Sequence, residues 1–406
     1  MRVLIHTDEY YPTAQACAYR MQVFADTFMD LGNEVIVVTS TANMANGKMI
    51  KDVHKEKIIY SPTVRMRKKT AIMRLLNNMS FGITSIFSSV KAGKIDVVIT
   101  TSPPPLVSLP GWLIAKFKGA KLIYDVRDIW PDVALEMGSF SEKSIYCRTF
   151  RAIAGFMYKH ADVVTTVSPG KVKKVKKYVS YRMGRNSAHS QIEKVWFVGN
   201  GFDESIAMSE IDQETIDRYG LDNKFTCVYI GNIGLAQGLG ALLDIAANTK
   251  HKEVQFLCFG MGAEKETLEK RVRDEGLKNV KFCGVIEHDK VFTILSHAKI
   301  SFISLKNSVM KDSIPTKVYE ALGIGCPVLL VAEGDAANIV DEAGLGRHVS
   351  PDETDKLVDV FDDMVTHYND YSARKEDAIR LMYSKYSRQK IAREFENKLR
   401  NLCLHK

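Results

Sequence analysis

Residues 312–330 read DSIPTKVYEALGIGCPVLL, a helix pattern followed by a short apolar strand. Pro315 suits the first position of a helix, and Ser313 is the candidate side-chain cap in front of it. Gly323 and Gly325 are expected to end the helix before the strand begins. A helix that runs directly into a buried strand is the repeating unit of a parallel sheet, so this stretch decides the fold class.

The same alternation of strands and helices continues along the rest of the chain. The pattern restarts once, after the segment Gly199–Asp203, where a second series of strands begins. The sequence therefore predicts an α/β protein with two doubly wound, Rossmann-like domains that face each other across a cleft. We expect these domains at residues 1–200 and 201–382, and a charged helix over 383–406 that packs back on the first domain. The strand candidates are VLIHT, EVIVVTS, VVIT, AKLIYDV, VVTTVS and KVWFV in the first half, and FTCVYIG, VQFLCFG, VKFCG, ISFIS and CPVLLV in the second.

The bulk composition is that of a globular protein with a sizeable core. The chain has 406 residues, of which 46% are hydrophobic. Its seven cysteines are scattered and include no C-x-x-C pair, which predicts reduced thiols in a cytoplasmic protein. No window offers the ~20 apolar residues of a spanning helix, and the N-terminal MRVLIHTDEYY predicts a first strand, not a signal peptide. We therefore expect a cytoplasmic protein, soluble or peripheral.

The net charge of +8 conceals an asymmetry along the chain. Residues 1–200 carry 29 Lys and Arg against 15 Asp and Glu, whereas the remaining residues carry 27 against 33. Two segments, 65–94 and 163–192, each hold seven basic residues and no acidic one. The first also contains Met, Ile, Leu and Phe, a composition typical of contact with an anionic membrane. A solvated basic face is the alternative. Nucleic-acid binding is not expected, because the sequence shows no nucleic-acid fold or stacking motif.

The opening stretch carries the first candidate chemistry. Thr316 and Lys317 would place backbone N–H groups and an ammonium at the positive end of the helix, which suits a phosphate. Glu320 follows about one turn later on the same face, where its carboxylate can accept two hydrogen bonds from a vicinal diol such as ribose. An ordinary capped helix with a solvated Lys and Glu would show the same residues.

Two glycine-rich turns are further candidates. In YIGNIGLAQGLGALL, Gly231, Gly234 and Gly238 lie between a strand and a helix, where backbone can approach a pyrophosphate closely. In CFGMGAEKE, Gly260 and Gly262 follow another strand. The first turn is not a clean G-x-G-x-x-G, and glycines needed for packing explain both turns nearly as well.

Charged residues also follow a strand in the first half of the chain. In LIYDVRDIWPDV, Arg127 and Asp128 stand at a predicted strand end, where they could hold hydroxyls or an anionic group. An Arg–Asp ion pair that stabilises a loop is the alternative. Arg20, on the first predicted helix, faces either solvent or the cleft, and its spacing does not decide between them.

Together these stretches resemble the glycosyltransferase family 4 group, whose members have the GT-B fold. PTKVYEALGIGCPVL is similar to the family's donor-site helix, and NVKFCGVIEHDKVFTILSHAKISFIS to the elements before it. WFVGNGFD is similar to the link between the two domains. Residues 10–20 and 127–131 are similar to the "YYP-x-x-x-A-x-A-x-R" and "RD-x-WP" motifs of bacterial surface-polysaccharide transferases. The resemblance covers essentially the whole chain and implies transfer of a sugar from a nucleotide-sugar.

The resemblance implies a donor site in the second domain. Glu320 would bind the ribose hydroxyls, and Asp312 stands where members usually have a glutamate that contacts the transferred sugar. Many members hold the diphosphate with an Arg and a Lys after the first strand of this domain, but residues 231–238 contain neither. The backbone of this segment, Lys317 and Lys306 would then hold the phosphates. The predicted donor-binding residues are Gly231, Asn232, Gly234, Gln237, Gly238, Gly260, Gly262, Lys306, Ser313, Thr316, Lys317 and Glu320.

The resemblance also implies retention of the anomeric configuration without a metal or other cofactor. The sequence contains no Asp-x-Asp, the usual metal–diphosphate motif of the other major nucleotide-sugar fold, and no Walker A, G-x-S-x-G or H-E-x-x-H motif. We expect a UDP-sugar donor and a polyprenyl-diphosphate-linked saccharide acceptor at the inner face of the cell membrane. The predicted catalytic residues are Asp128, Arg127 and Asp312, and the predicted acceptor contacts are Arg20, Tyr11 and Trp130.

Two alternatives to a transferase stay open at this point. A nucleotide-sugar epimerase of similar fold would convert a donor with no acceptor present. A non-catalytic partner subunit of the same fold would lack transfer altogether. The intact Lys317 and Glu320 argue against the partner subunit, whereas the missing Arg and Lys pair argues for it.

Overall fold

The chain forms two compact units. The computed structural model describes residues 1–11, 16–44, 55–65, 70–136, 141–183 and 192–404. Unit 1 is Met1–Asn200 together with Gln389–Lys406, and unit 2 is Gly201–Arg388. The first boundary falls within the segment Gly199–Asp203, where the sequence pattern restarts.

Unit 1 is built on a seven-stranded parallel sheet. Its strands are β1 (Arg2–His6), β2 (Glu34–Ser40), β3 (Lys57–Ser61), β4 (Val97–Ser102), β5 (Lys121–Val126), β6 (Val163–Thr166) and β7 (Val195–Phe197). They lie in the order β3-β2-β1-β4-β5-β6-β7, and every neighbouring pair is parallel. The central strands are apolar runs buried on both faces, as parallel strands between helical layers require. The direction of winding reverses between β1 and β4, which is the switch point where such sheets bind ligands.

Helices cover the sheet of unit 1. They are α1 (Ala16–Asp30), α2 (Ala71–Ser88), α3 (Pro105–Lys118), α4 (Asp132–Glu136), α5 (Ile145–His160) and α6 (Pro169–Met183). Local sequence sets several of their ends. The Thr70 side chain accepts a hydrogen bond from the Met73 N–H at the start of α2, and Ser144 caps α5 in the same way. Gly119 ends α3 in the left-handed conformation that glycine adopts without strain.

Unit 2 repeats the plan with six parallel strands. They are β8 (Thr226–Ile230), β9 (Gln255–Phe259), β10 (Val280–Gly284), β11 (Ile300–Ser304), β12 (Val328–Val331) and β13 (Gly346–Val349), in the order β10-β9-β8-β11-β12-β13. The switch point of this sheet lies between β8 and β11. The helices of unit 2 are α7 (Gln213–Tyr219), α8 (Gly240–Asn248), α9 (Lys265–Asp274), α10 (Lys290–His297), α11 (Thr316–Ile324), α12 (Asp335–Ala343), α13 (Leu357–Thr366), α14 (Tyr368–Ser372) and α15 (Lys375–Lys385).

The predicted single helix after residue 383 is two helices. α15 ends at Lys385, and α16 (Arg388–Leu404) begins three residues later. Backbone pairing with Phe202 causes the break, because its N–H donates to the Tyr386 carbonyl at 2.7 Å and its carbonyl accepts from the Arg388 N–H at 2.8 Å. From Gln389 onward the chain belongs to unit 1.

Candidate functional site

Helix α11 starts one residue later than its sequence predicts. Pro315 is the N-cap and not the first helical residue, and its extended backbone leaves the first turn without a side-chain cap. The predicted capping role of Ser313 is therefore wrong; its N–H instead donates to the Met310 carbonyl at 3.0 Å. The first N–H groups of α11, those of Thr316 and Lys317 among them, stay available to an anion.

The ammonium of Lys317 lies at the end of strand β8. Its Nζ is 4.1 Å from the centre of the Tyr229 ring, and a Cβ added to Gly231 would lie 3.0 Å from it. Although the residue as a whole is half-buried, the Nζ atom is buried and has no hydrogen-bond partner among the residues that the structure describes. Burial lowers the pKa of Lys317 to about 8. A buried, unpaired cation next to a glycine turn is suited to hold an anion.

Glu320 lies one turn further along α11 and is half-buried. Burial raises the pKa of its carboxyl group, whereas the charges of Arg388, His288 and Lys317 act to lower it. Gly323, predicted to help end the helix, lies inside it, and a Cβ there would be 2.5 Å from the ring of Phe202. Gly325 is the residue that ends α11, at φ +79°. The helix thus presents Lys317 and Glu320 from successive turns, as the spacing predicts.

The glycine-rich segment after β8 is fixed by its own hydrogen bonds. The Tyr229 hydroxyl donates to the Asn232 carbonyl at 2.5 Å. The Lys306 N–H donates to the Ala236 carbonyl at 2.9 Å, and Gly238 approaches the Lys306 backbone so closely that a Cβ would lie 3.1 Å from its Cα. The segment therefore joins the ends of β8 and β11 across the switch point.

Two further glycines are required by packing within unit 2. A Cβ on Gly260 would lie 1.8 Å from the Gly231 carbonyl oxygen, and one on Gly262 would lie 2.1 Å from that of Ile233. The Gly231 N–H donates to the Phe259 carbonyl at 2.9 Å, so the turns after β8 and β9 stack directly. Packing alone accounts for these glycines, and donor binding by Gly260 and Gly262 stays a prediction.

The other predicted donor residues lie around these turns. Gly234 packs against the side chains of Asn232 and Gln237, where its added Cβ would lie 2.7 Å and 3.0 Å from their polar atoms. Oε1 of Gln237 is buried and has no hydrogen-bond partner within the described part of the chain. Lys306 is exposed and Asp312 is buried.

No group of three or more His, Cys, Asp or Glu within the described residues is arranged to hold a metal ion, and the metal-free mechanism stays a prediction.

In unit 1, Arg20 faces the protein interior. The side chain is 1% exposed and donates to Asp125 at 3.0 Å and to the carbonyls of Gly199 at 2.7 Å and Val198 at 2.9 Å. Arg20 therefore does not face solvent, a point that its spacing along the helix left undecided. Acceptor binding by Arg20 stays a prediction, since its described hydrogen bonds lead to residues of unit 1.

Arg127 and Asp128 lie beyond the end of β5. The sequence left open an ion pair between Arg127 and Asp128. In the structure Asp128 instead pairs with Lys171, whose Nζ donates to it at 3.0 Å. Lys171 also donates to the Arg127 carbonyl at 2.6 Å. The Arg127 guanidinium donates to the Pro103 carbonyl at 2.8 Å, and its Nε is buried without a partner. Lys171 therefore contacts two predicted site residues, and the sequence did not single it out, since it is one of many lysines in a basic run.

Asp8 is a second residue that the sequence did not single out. It follows β1, and burial with the neighbouring charge of Glu9 raises the pKa of its carboxyl group to about 7, while Arg127 opposes the shift.

Of the predicted acceptor contacts, Tyr11 is half-buried, and Trp130 packs edge-on against Phe150 at 5.5 Å. Their acceptor role stays a prediction.

Comparison with known proteins identifies the class. Residues 212–381 match the family model "Glycosyl transferases group 1". WbjE of Pseudomonas aeruginosa, named a probable glycosyltransferase, is 23% identical over 298 residues, which cover 70% of this chain and 72% of that protein. WcaI of Escherichia coli K12, named a colanic acid biosynthesis glycosyl transferase, is 23% identical over 381 residues, 88% of this chain and 90% of that protein.

Solved structures agree on the fold over the full length. Anabaena HepE in complex with UDP and glucose has a TM-score of 0.74 at 15% identity and covers 99% of this chain and 100% of that chain. Sucrose-phosphate synthase from Thermosynechococcus elongatus has a TM-score of 0.82 at 15% identity and covers 100% and 99%. The fold is therefore GT-B, and the predicted resemblance is confirmed. The chain is a glycosyltransferase, and residues 212–381 of its second unit match the group 1 model.

Proposed function

We propose that this chain transfers a sugar from a UDP-sugar to a hydroxyl of a saccharide or lipid-linked saccharide during bacterial surface-polysaccharide synthesis. The observation that carries the proposal is the buried, unpaired ammonium of Lys317 beside Gly231 at the switch point of unit 2. The name of WcaI, which refers to colanic acid biosynthesis, supports the polysaccharide product, and the UDP bound to HepE supports the nucleotide.

The donor diphosphate is assigned to the start of α11. Lys317 supplies one positive charge, the uncapped first turn supplies N–H groups, and the helix dipole adds to both. The exposed Lys306 follows β11 and offers a second cation for the same group. Glu320 accepts hydrogen bonds from the two ribose hydroxyls. These residues take the place of the Arg and Lys that residues 231–238 lack.

The transfer step we propose retains the anomeric configuration and needs no metal. The bond between the anomeric carbon and the diphosphate oxygen breaks, and UDP leaves. The acceptor hydroxyl forms the new bond on the same face, and its proton passes to the leaving phosphate oxygen. Stabilisation of the departing diphosphate by Lys317 and the helix end supplies most of the rate. Asp312, Arg127 and Asp128 are assigned to positioning the sugar and the acceptor.

Nucleotide binding tests the donor site directly. We expect UDP to raise the thermal midpoint of the wild-type protein, since a ligand of the native state stabilises it by mass action. Lys317→Ala should weaken UDP binding at least about tenfold, because one charge-assisted contact to phosphate is lost. Lys278→Ala, at an exposed lysine of the same unit, is the matched control and should leave the UDP shift unchanged.

Each alternative function has its own outcome in these experiments. A wild-type protein with no thermal shift for any nucleoside diphosphate would favour the non-catalytic subunit. Conversion of a UDP-sugar to its epimer without an acceptor would show an epimerase. Equal UDP affinities of the Lys317 variant and wild type would show that the diphosphate binds at another place.

We also propose that the protein works at the surface of an anionic membrane, through an apolar stripe on helix α2. Ile72, Ile83 and Phe87 are 70%, 58% and 73% exposed, although they are large apolar residues. Together with Leu76 and Met79 they repeat at intervals of three or four residues, so that they form one face of the helix, and Val90 continues the spacing just beyond its end. The stripe consists of Ile72, Leu76, Met79, Ile83, Phe87 and Val90.

The charges around the stripe favour an anionic lipid surface as its occupant. Exposed basic residues lie before, within and after α2, namely Arg65, Arg74, Lys91 and Lys94, and no acidic residue occurs in this segment. Each Lys or Arg near an anionic surface contributes about 1 kcal/mol. Arg67, Lys68 and Lys69 of the predicted basic run lie outside the described residues. None of the described helices is both long and apolar enough to cross a membrane.

A further inference from the structure

A group of charged side chains gathers at the switch point of unit 1. Asp8 and Glu9 directly follow β1, and Arg127 follows β5. The Arg127 N–H donates to the Ser102 carbonyl at 2.9 Å, and its guanidinium donates to the Pro103 carbonyl at 2.8 Å, so the arginine is fixed to the end of β4. The carboxyl ends of β1 and β4 are where an open parallel sheet binds its ligand.

Most charges at this edge of the sheet already have partners. Arg20 pairs with Asp125 at 3.0 Å, and both side chains are 1% exposed. Lys171 pairs with Asp128, also at 3.0 Å. These two ion pairs satisfy the charges on both sides of Arg127 in the sequence.

Asp8, Glu9 and Arg127 are the exception. Arg127 is close enough to interact electrostatically with both carboxylates, yet no ion pair within 4.0 Å joins any of the three to another residue in the part of the chain that the structure describes. One carboxylate oxygen of Asp8, Oδ1, is buried without a hydrogen-bond partner, and so is Nε of Arg127. An unsatisfied buried polar atom destabilises a fold, and two of them in one group of charged residues indicate side chains reserved for a ligand.

The mixed charge limits which ligand fits between these groups. A phosphate would be attracted by Arg127 but repelled by Asp8 and Glu9, and an ammonium would meet the opposite conflict. A hydroxyl suits both, because it donates a hydrogen bond through its hydrogen and accepts one through its oxygen. Asp8 and Arg127 are both half-buried, so part of each residue is exposed at the surface of the unit.

We propose that Asp8 and Arg127, with Glu9 beside them, bind a sugar hydroxyl of the acceptor. The Asp8 carboxylate accepts the hydrogen bond of the hydroxyl, and the Arg127 guanidinium donates to its oxygen. This proposal rests on the transferase function proposed above and assigns the acceptor's sugar, not its diphosphate, to the switch point of unit 1.

Saturation-transfer NMR on the full chain tests the site without requiring turnover. The probes are the methyl glycosides of glucose, galactose, rhamnose and N-acetylglucosamine, at millimolar concentration with UDP present. We expect saturation of the ring protons of at least one glycoside by the wild-type protein. Asp8→Asn, which keeps the side-chain volume, and Arg127→Gln should each weaken that glycoside at least about tenfold, because a hydrogen bond to a charged group is lost. Asp30→Asn, at an exposed acid of the same unit, should bind it like wild type.

The variants separate a binding role from a structural one. Asp8→Asn should keep or raise the thermal midpoint, since it removes an unpaired, partly buried carboxylate. Undiminished glycoside binding by Asp8→Asn, no saturation of any glycoside by wild type, or displacement of the glycoside by inorganic phosphate would each overturn the proposal. The UDP-induced thermal shift, measured on the same samples, reports on unit 2, so its absence would contradict the transferase proposal separately.

Discussion

Lys317 is a cation held in the protein with its charge unsatisfied. Its Nζ contacts the face of the Tyr229 ring at 4.1 Å, which offsets only part of the lost hydration. Burial consequently lowers the pKa of Lys317 to about 8. A bound diphosphate would reverse that shift, because an opposite charge favours the protonated amine.

This residue predicts a pH-dependent affinity for UDP. Below pH 8 Lys317 is already protonated in the free protein, and binding requires no proton uptake. Above pH 8 binding must take up a proton, so the affinity falls, by about tenfold between pH 7 and pH 9 for one linked proton. Calorimetry over this range would measure the change, which lies above the titration of phosphate itself.

Lys317→Arg supplies the control for that measurement. Arginine stays charged throughout the range, so the affinity of this variant for UDP should be nearly independent of pH. If the affinity of the wild type for UDP were also independent of pH, the Lys317 ammonium would not contact the nucleotide.

At the residue level the sequence predicted groups whose position depends on local spacing. Lys317 and Glu320 lie on successive turns of α11, as the helical period requires. The cap at Ser313 was wrong because the chain enters the helix only after Pro315. Asp8 and Lys171 could not be found, because their importance depends on neighbours that come from distant strands.

Helix α2 shows how one element can carry two different faces. Asn77, Phe81 and Ser85 repeat every four residues and are buried in unit 1. The opposite face is the apolar stripe described above, whose side chains are exposed. Burial of such a face in a membrane recovers roughly 25 cal/mol per Å² of apolar surface.

Substitutions in the stripe test its contact with lipid. The double variant Ile83→Glu, Phe87→Glu should reduce co-sedimentation with vesicles of phosphatidylglycerol and phosphatidylcholine at least about tenfold, since two apolar anchors are replaced by charges that the lipid repels. Binding of wild type should also fall as the salt concentration rises. Ile211→Glu, at an exposed isoleucine of unit 2, is the matched control.

Two results would contradict the proposed contact of the stripe with a membrane surface. The bound fraction of the double variant could equal that of wild type. Alternatively, wild type could be a dimer without lipid and the double variant a monomer, which would make the stripe an interface between two copies of the chain.

At the level of elements, the central strands were predictable, as were the edge strands β7 and β10, whereas the other two edge strands were not. The sequence pattern omitted β3 (KIIYS) and β13 (GRHV), which lie at the edges of their sheets. An edge strand is short and carries charged residues, so it lacks the continuous apolar run that identifies the central strands.

The molecule as a whole is two units connected twice by the chain, because α16 returns to unit 1 after unit 2 is complete. The helix contributes to the core of unit 1. Phe395 lies 5.3 Å from Phe24 and 6.0 Å from Phe28, and Glu396 accepts a hydrogen bond from Asn33 at 2.9 Å.

Phe395→Ala should therefore destabilise unit 1 selectively. Truncation of a buried phenylalanine costs about 3–5 kcal/mol. We expect a lower unfolding midpoint for unit 1 by calorimetry, with UDP binding by unit 2 retained at a temperature below that transition. Loss of both properties together would show that the units do not unfold separately.

The return of α16 also fixes an order of events during synthesis. A ribosome delivers the chain from its N-terminus, so the strands of unit 1 emerge first and unit 2 follows. Phe395 emerges only after all of unit 2, at Gly201–Arg388, has left the ribosome. The half of the enzyme that is translated first therefore cannot complete its core until α16, which follows unit 2 in the chain, has also been made.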